Sequence, residues 1–189
     1  MEPELEQYNF GDDIVAFSTT RHGGVSKGNY AELNINPYCG DDPKDVSANL
    51  KILCDALEIA TDHLILPHQT HQTVCRSITP EYFNLSNEKR KEYLEGVDAV
   101  MTDMPKVCVG VSTADCIPLL YYDTEHHALA AVHAGWRGTL AGIATKALEA
   151  MAKQYDTQPG KVKIMIGPGI SLKNFEVGDE VYEQFANAF

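Results

Sequence analysis

Four short apolar runs follow one another through the middle of the chain: "VDAVMT", "VCVGVS", "IPLLYY" and "ALAAVHA". Each is too short for a buried helix, and Val, Ile and aromatic residues recur in them. None shows the strict alternation of a strand with one wet face. Runs of this kind, separated by turn residues such as "DTEHH", suit strands of a mostly buried sheet. A sheet buried on both sides needs something to cover it, so the flanks of the chain have to supply helices.

The flanks fit that demand. "DDPKDVSANLKILCDALEI" predicts a helix, with Asp42 as its N-cap and Pro43 in its first turn. Val46, Leu50, Leu53 and Leu57 recur at helical spacing and give it one apolar face. "GTLAGIATKALEAMAKQY" predicts a second helix, facing inward with Leu140, Ile143, Ala147, Leu148 and Met151. "KVKIMIG" predicts a strand, and "GDEVYEQFANAF" the start of a last helix. Earlier in the chain, "DDIVAFSTT" predicts a strand from Ile14 to Ser18, leading into the Gly-rich loop "RHGGVSKGNY". "LIL" and "HQTHQTVCRSI" add further strand material, with His71 entering the strand. The expected class is α+β or mixed α/β. With 189 residues the expectation is a single domain, 1–189.

Charge removes some functions. The chain carries 15 basic and 27 acidic residues, a net charge of −12. That balance opposes broad binding to a nucleic-acid backbone, although a pocket for one nucleotide or nucleoside needs only local donors. The one basic run, "NEKRKEYLE", is interleaved with Glu and reads as a solvated helix or loop. The five cysteines are odd in number and show no CxxC spacing, which fits free thiols in a reducing compartment. The acidic N-terminus has no apolar core of a signal peptide, and no apolar run reaches membrane-spanning length. The expected place is the cytoplasm, with no membrane partner. The oligomeric state stays unassigned.

Cys116 heads the run "CIPLLYY", and His133 closes the run "ALAAVHA" before "GWRG". A cysteine in this setting serves as a small core residue, a nucleophile or a metal ligand. Its residue type alone does not choose. His71 and His133 sit at element ends, where loops gather functional groups. His126 and His127 lie in an acidic turn and are expected to face solvent. Cys39, Cys54, Cys75 and Cys108 are expected to be structural.

Taken together, "TADCIPLL" and "VHAGWRG" closely resemble the YfiH-type laccase-domain family, also called the purine nucleoside phosphorylase or polyphenol oxidase family. "STTRHGGVSKGNYAELNI", "HQTH", "VDAVMTD" and "IGPGISLKNFEVGDEVYEQF" are similar to its other segments, so that the resemblance runs from about Ile14 to Phe189. It implies a four-layer α/β/β/α sandwich with mixed sheets. It also implies a metal held by His71, Cys116 and His133, zinc first and copper(II) as an alternative. The implied chemistry is phosphorolysis of adenosine, inosine or methylthioadenosine, with deamination of adenosine beside it.

Phosphorolysis needs cationic donors for phosphate, and Arg21 and Arg137 are the candidates. Trp136 is a candidate for stacking a base. Asp98 and Asp115 are candidate acid/base groups. The seven histidines include no His-x-His pair, which argues against a trinuclear copper cluster. Two departures stand out. Asn174 and Phe175 replace the family's Cys-Tyr pair, and family members usually continue beyond the position of Phe189. A chain shorter than its fold is therefore expected. Two other functions use the same residues: a cysteine hydrolase acting on cell-wall precursors, with Cys116 as nucleophile, and a non-catalytic metal-binding remnant.

Overall fold

The structure, a computed structural model, describes residues 2–189. In chain order the elements are β1 (Leu5–Tyr8), β2 (Ala16–Thr19), α1 (Pro43–Ala56), β3 (Leu64–Ile65), β4 (Cys75–Ser77), α2 (Pro80–Phe83), α3 (Asn87–Leu94), β5 (Ala99–Thr102), β6 (Cys108–Val109), β7 (Ile117–Asp123), β8 (Leu129–Ala134), α4 (Trp136–Leu140), α5 (Ile143–Tyr155), β9 (Val162–Ile166) and α6 (Asp179–Ala188). They fall into two compact units. The first is Met1–Leu66 with Pro105–Cys108; the second is Pro67–Met104 with Val109–Phe189.

In the first unit β1 and β2 pair antiparallel, Leu5 opposite Thr19 and Tyr8 opposite Ala16. The sequence pattern does not show β1, because "LEQY" has two polar residues at its centre and none of its four is buried, so it carries no buried-strand signal. Helix α1 starts as expected: the Asp42 carboxylate accepts from the Lys44 N–H at 2.8 Å, and Pro43 opens the first turn. Val46 and Leu53 are buried on its inner face, and so is Asn49. Asn49 is tolerated there because its amide is saturated. It accepts from the Val25 N–H and donates to Ser26 Oγ and to the carbonyls of Glu32 and Asn34. This ties the Gly-rich loop to the helix. The glycines of that loop serve the chain's own packing: a Cβ on Gly24 would collide with the backbone of Glu32 and Leu33.

The second unit is built on a five-stranded sheet in the order β4-β5-β8-β7-β9. The β4–β5 pair is parallel and the other pairs are antiparallel. This is the mixed-sheet α+β class that the sequence implies. One sheet face carries Ala99, Met101, Leu119, Tyr121, Ala130 and Val132, which pack with Ile143, Ala147 and Met151 of α5. Fully burying a side chain such as Ile143 or Met151 contributes roughly 1.5–3 kcal/mol.

The predicted long helix is in fact two. Gly142 takes the left-handed conformation (φ 77°) between α4 and α5, so the chain turns where helical periodicity alone runs on. "VCVGVS" yields only the two residues of β6, and 110–116 carries no regular element. "NEKRKEYLE" does form a helix, α3, with Leu94 buried at its end. Among the described residues, no helix is long and apolar enough to cross a membrane.

Candidate metal centre

Strand β8 carries His133 to the end of the sheet, opposite Pro118 of β7. Val132 and Ala134 face the α5 core, so the alternation of the strand turns His133 to the other side. The His133 side chain is 3% exposed, and its Nδ1 lies 2.7 Å from a carboxylate oxygen of Asp98, itself without exposed surface. A carboxylate only accepts, so Nδ1 carries the proton and Nε2 keeps its lone pair for a ligand.

Asp98 does more than orient this ring. It also accepts from the backbone N–H groups of Thr70, His71 and Gln72 at 3.2, 3.0 and 2.8 Å. Burial disfavours its charge. The bonds from His133 and from the N–H groups of Gln72 and Thr70 outweigh that, and the carboxyl is held below its ordinary range. The turn wrapped around this carboxylate puts His71 in the left-handed region (φ 63°). His71 therefore does not enter a strand, and β4 begins only at Cys75. The pattern "LPHQTHQTVCRSI" could not reveal this turn, because its organiser lies 27 residues away from His71 in sequence.

Cys116 is the last residue before β7, half-buried at the end of an irregular loop. Gly135 follows β8 and lies among all three side chains. A Cβ on it would come within 2.9 Å of His71 Cδ2, 3.1 Å of Cys116 Sγ and 3.6 Å of His133 Cε1. The two imidazole rings stand edge to face with centroids 4.8 Å apart. The donor atoms of His71, Cys116 and His133 all lie within 4.8 Å of one another.

This donor set suits a borderline metal. Two imidazoles and a thiol match zinc or copper, and three protein ligands leave a coordination position open. Burial, the nearby His133 and the charge of Arg137 depress the pKa of His71, against the pull of Asp98, which favours the neutral form a metal requires. Burial and the charges of Asp115 and Asp98 push the Cys116 thiol up. A divalent cation held by these three residues would favour the thiolate form of Cys116.

The other candidates are placed differently. Arg137 is exposed on α4, with its guanidinium 4.0 Å from the Trp136 ring centroid. Trp136 thus supports a cation with at least one face. Arg21 belongs to the first unit, where its guanidinium donates twice to the Ala31 carbonyl. Asp98 is sealed and fully engaged, so it positions side chains and is no proton shuttle. Asp115 is exposed beside Cys116.

The family model described as multi-copper polyphenol oxidoreductase laccase matches residues 15–189. A purine nucleoside phosphorylase from Bacteroides thetaiotaomicron is 47% identical over 173 residues, covering 92% of this chain and 64% of the relative. Adenosine deaminase RL5, from an unknown prokaryotic organism, is 37% identical over 188 residues, covering 98% of this chain and 71% of the relative. The crystal structure of the Bacillus licheniformis hypothetical protein YfiH superimposes with a TM-score of 0.84 at 28% identity, over 92% of this chain and 65% of that one. YlmD from Geobacillus stearothermophilus gives 0.82 at 30%, over 92% and 64%. The chain belongs to the YfiH-type laccase-domain family. It spans 64% of the length of the Bacteroides relative.

Proposed function

We propose that this chain carries the metal centre of a purine nucleoside enzyme. The reaction is phosphorolysis of adenosine, inosine or methylthioadenosine to free base and sugar 1-phosphate, with deamination of adenosine as a second activity. The observation that carries this proposal is the convergence of His71, Cys116 and His133, with donor atoms within 4.8 Å of one another. The names of the Bacteroides relative and of adenosine deaminase RL5 support the substrate class.

His71, Cys116 and His133 would hold the ion, zinc first and copper(II) as the alternative. When bound, the metal supplies a Lewis acid, the chemistry suited to activating water at neutral pH. Asp98 fixes the ring of His133 so that one nitrogen stays available. The buried side of the cluster, at His133, excludes solvent, and the exposed side, at His71, admits substrate. Arg137 is the proposed phosphate donor on this unit, because a guanidinium grips phosphate with paired N–H groups. Arg21 is proposed as a further phosphate donor, using the donors that Ala31 leaves free. Both are tested by the phosphate KM of their Ala variants.

The deciding experiment incubates purified protein with adenosine and phosphate and separates the products by mass-resolved chromatography. Adenine with ribose 1-phosphate supports phosphorolysis, and inosine supports deamination. Turnover that survives both His71→Ala and Cys116→Ser would sink the proposal.

One observation favours a second reading. Asp98, His133 and Cys116 run in the order of a carboxylate, base and thiol nucleophile, as in a cysteine hydrolase. The raised thiol argues against it, since a working nucleophile needs a depressed one. Rapid alkylation of Cys116 at neutral pH in metal-free protein, with no zinc retained after dialysis, would favour the hydrolase.

A further inference from the structure

Two of the three donors stand on segments without a regular ladder. His71 belongs to the stretch between β3 and β4, and Cys116 to the stretch between β6 and β7. The short β3–β6 pair ends at Ile65 and Val109, four residues before Gln69 and three before Ser112, so beyond it backbone hydrogen bonds of a sheet do not fix the distance between the two segments. A side chain does it here. Gln69 Nε2 donates to the carbonyl of Ser112 at 2.8 Å, and the N–H of Ser112 donates to Gln69 Oε1 at 2.7 Å. A backbone N–H only donates and a carbonyl only accepts, so both ends of the amide are assigned by the partner itself. The pair of bonds imitates one rung of a β ladder, in which two residues exchange both bonds. It fixes distance and rotation together, which a single bond would not.

We infer that Gln69 is a positioning residue that fastens the Cys116 loop to the His71 loop and so sets the spacing of two metal donors. Gln69 stands two residues before His71, and Ser112 four before Cys116. Neither is one of the three donors. The third donor, His133, needs no such help, because β8 holds it between β5 and β7. Glu at position 69 would accept from the Ser112 N–H but would face the Ser112 carbonyl without a proton to donate. Met would fill the space and offer neither bond. The inference rests on the proposed metal role of the cluster, and its test separates the two.

The experiment measures zinc affinity of wild type, Gln69→Met and Gln69→Glu by competition with a chromogenic chelator. It also records the absorption spectrum of each cobalt(II)-substituted protein and the melting of each metal-free protein. Tyr155→Phe, which removes the 2.7 Å bond between Tyr155 and Ser77, is the control for ordinary destabilisation. Loosened outer-shell partners typically cost 10–100-fold in metal affinity, so Gln69→Met is expected to bind zinc about tenfold more weakly. Its cobalt spectrum should change, Gln69→Glu should fall between, and its metal-free melting should drop no further than that of Tyr155→Phe. Wild-type zinc affinity and an unchanged cobalt spectrum in Gln69→Met would overturn the inference while leaving the metal reading intact. So would a loss no larger than that of Tyr155→Phe. A wild-type chain that binds no zinc would remove both. If Gln69→Met does not fold, the cobalt spectrum of Gln69→Glu decides by the same criterion.

Discussion

A buried aspartate stands at each end of the β7–β8 hairpin, Asp98 just before the neighbouring β5 and Asp123 at the end of β7, and each holds a histidine by its Nδ1. At one end Asp98 meets His133 at 2.7 Å; at the other Asp123 meets His126 at 2.9 Å. Each carboxylate also gathers backbone N–H groups, those of Thr70, His71 and Gln72 on Asp98 and those of Glu125 and His126 on Asp123. As local chemistry the two pairs are nearly alike. They part in what else arrives. His133 is 3% exposed and shares its space with Cys116 and His71, whereas His126 is 34% exposed and, among the described residues, joins no such cluster. An Asp–His pair is thus a structural unit, and a second and third donor turn it into a site. One end shapes a turn, and the other aims a lone pair into a cluster.

The largest expected effect breaks the pair at the site end. Asp98→Asn removes one charged acceptor from a position with no exposed surface and leaves several donors poorly matched. Hydrogen bonds to a charged acceptor contribute about 1.5–3 kcal/mol apiece, and four donors meet on this one. Zinc affinity should fall about 10–100-fold with it, since His133 loses its fixed tautomer. Asp123→Asn should cost less, about 1–3 kcal/mol, because water at the turn replaces some of the lost bonds. It should leave zinc affinity alone. Urea unfolding of the metal-free proteins and a chelator competition check both parts. Equal losses of zinc affinity in the two variants would erase the distinction between the ends.

Next in size is a test of the crowding that exists only at the site end. Gly135→Ala puts a methyl group within 2.9 Å of His71 and 3.1 Å of Cys116. Something has to move, and the exposed His71 on its turn moves more easily than a buried ring in a strand. Zinc affinity should drop about tenfold or more. Metal-free stability should change by about 1 kcal/mol or less, since exposed groups relax cheaply. A variant that loses stability and keeps its metal would show that Gly135 is needed for the fold and not for the donors.

The same contrast explains what the sequence could disclose. The cap at Asp42, the Val46 and Leu53 face of α1 and the inner face of α5 are local patterns, and they were legible. The break at Gly142 was missed, because a glycine inside a helical period gives no sign of its φ angle. His71, Cys116 and His133 were legible through the family resemblance, while their residue types alone left core, nucleophile and ligand open. Asp98, Gln69 and Gly135 were not recognised as organisers. Asp98 and Gln69 depend on partners 26 to 43 residues away, as between Asp98 and Gln72 or Gln69 and Ser112, and Gly135 works against side chains brought in from other elements, so no local period records these pairings. Charge alone points to Arg21 and Arg137. The structure adds the Ala31 carbonyl to the one and the Trp136 ring to the other.

The smallest expected effect sharpens the comparison from the turn end, through pH. The bond to Asp123 raises the pKa of His126 above its ordinary value, more than exposure-limited burial lowers it. A histidine raised on folding gives stability that is fully present below about pH 6.5 and is lost as pH climbs through the folded value. Burial works against ionisation of Asp123, but the Thr157 side chain, the N–H groups of Glu125 and His126 and the His126 ring hold it at about 2. Its stabilisation is therefore complete above about pH 4 and fades as pH falls from there. The two windows overlap between roughly pH 4 and 6.5. His126→Ala should accordingly lower the melting temperature most at mildly acidic pH and progressively less above neutrality. Because the side chain is partly exposed, added salt should shrink the difference. A gap between wild type and variant that stays constant from acidic to alkaline pH would mean that His126 acts by packing alone. The turn would then be held by the Asp123 carboxylate and its backbone N–H bonds, with no ionic share from the histidine.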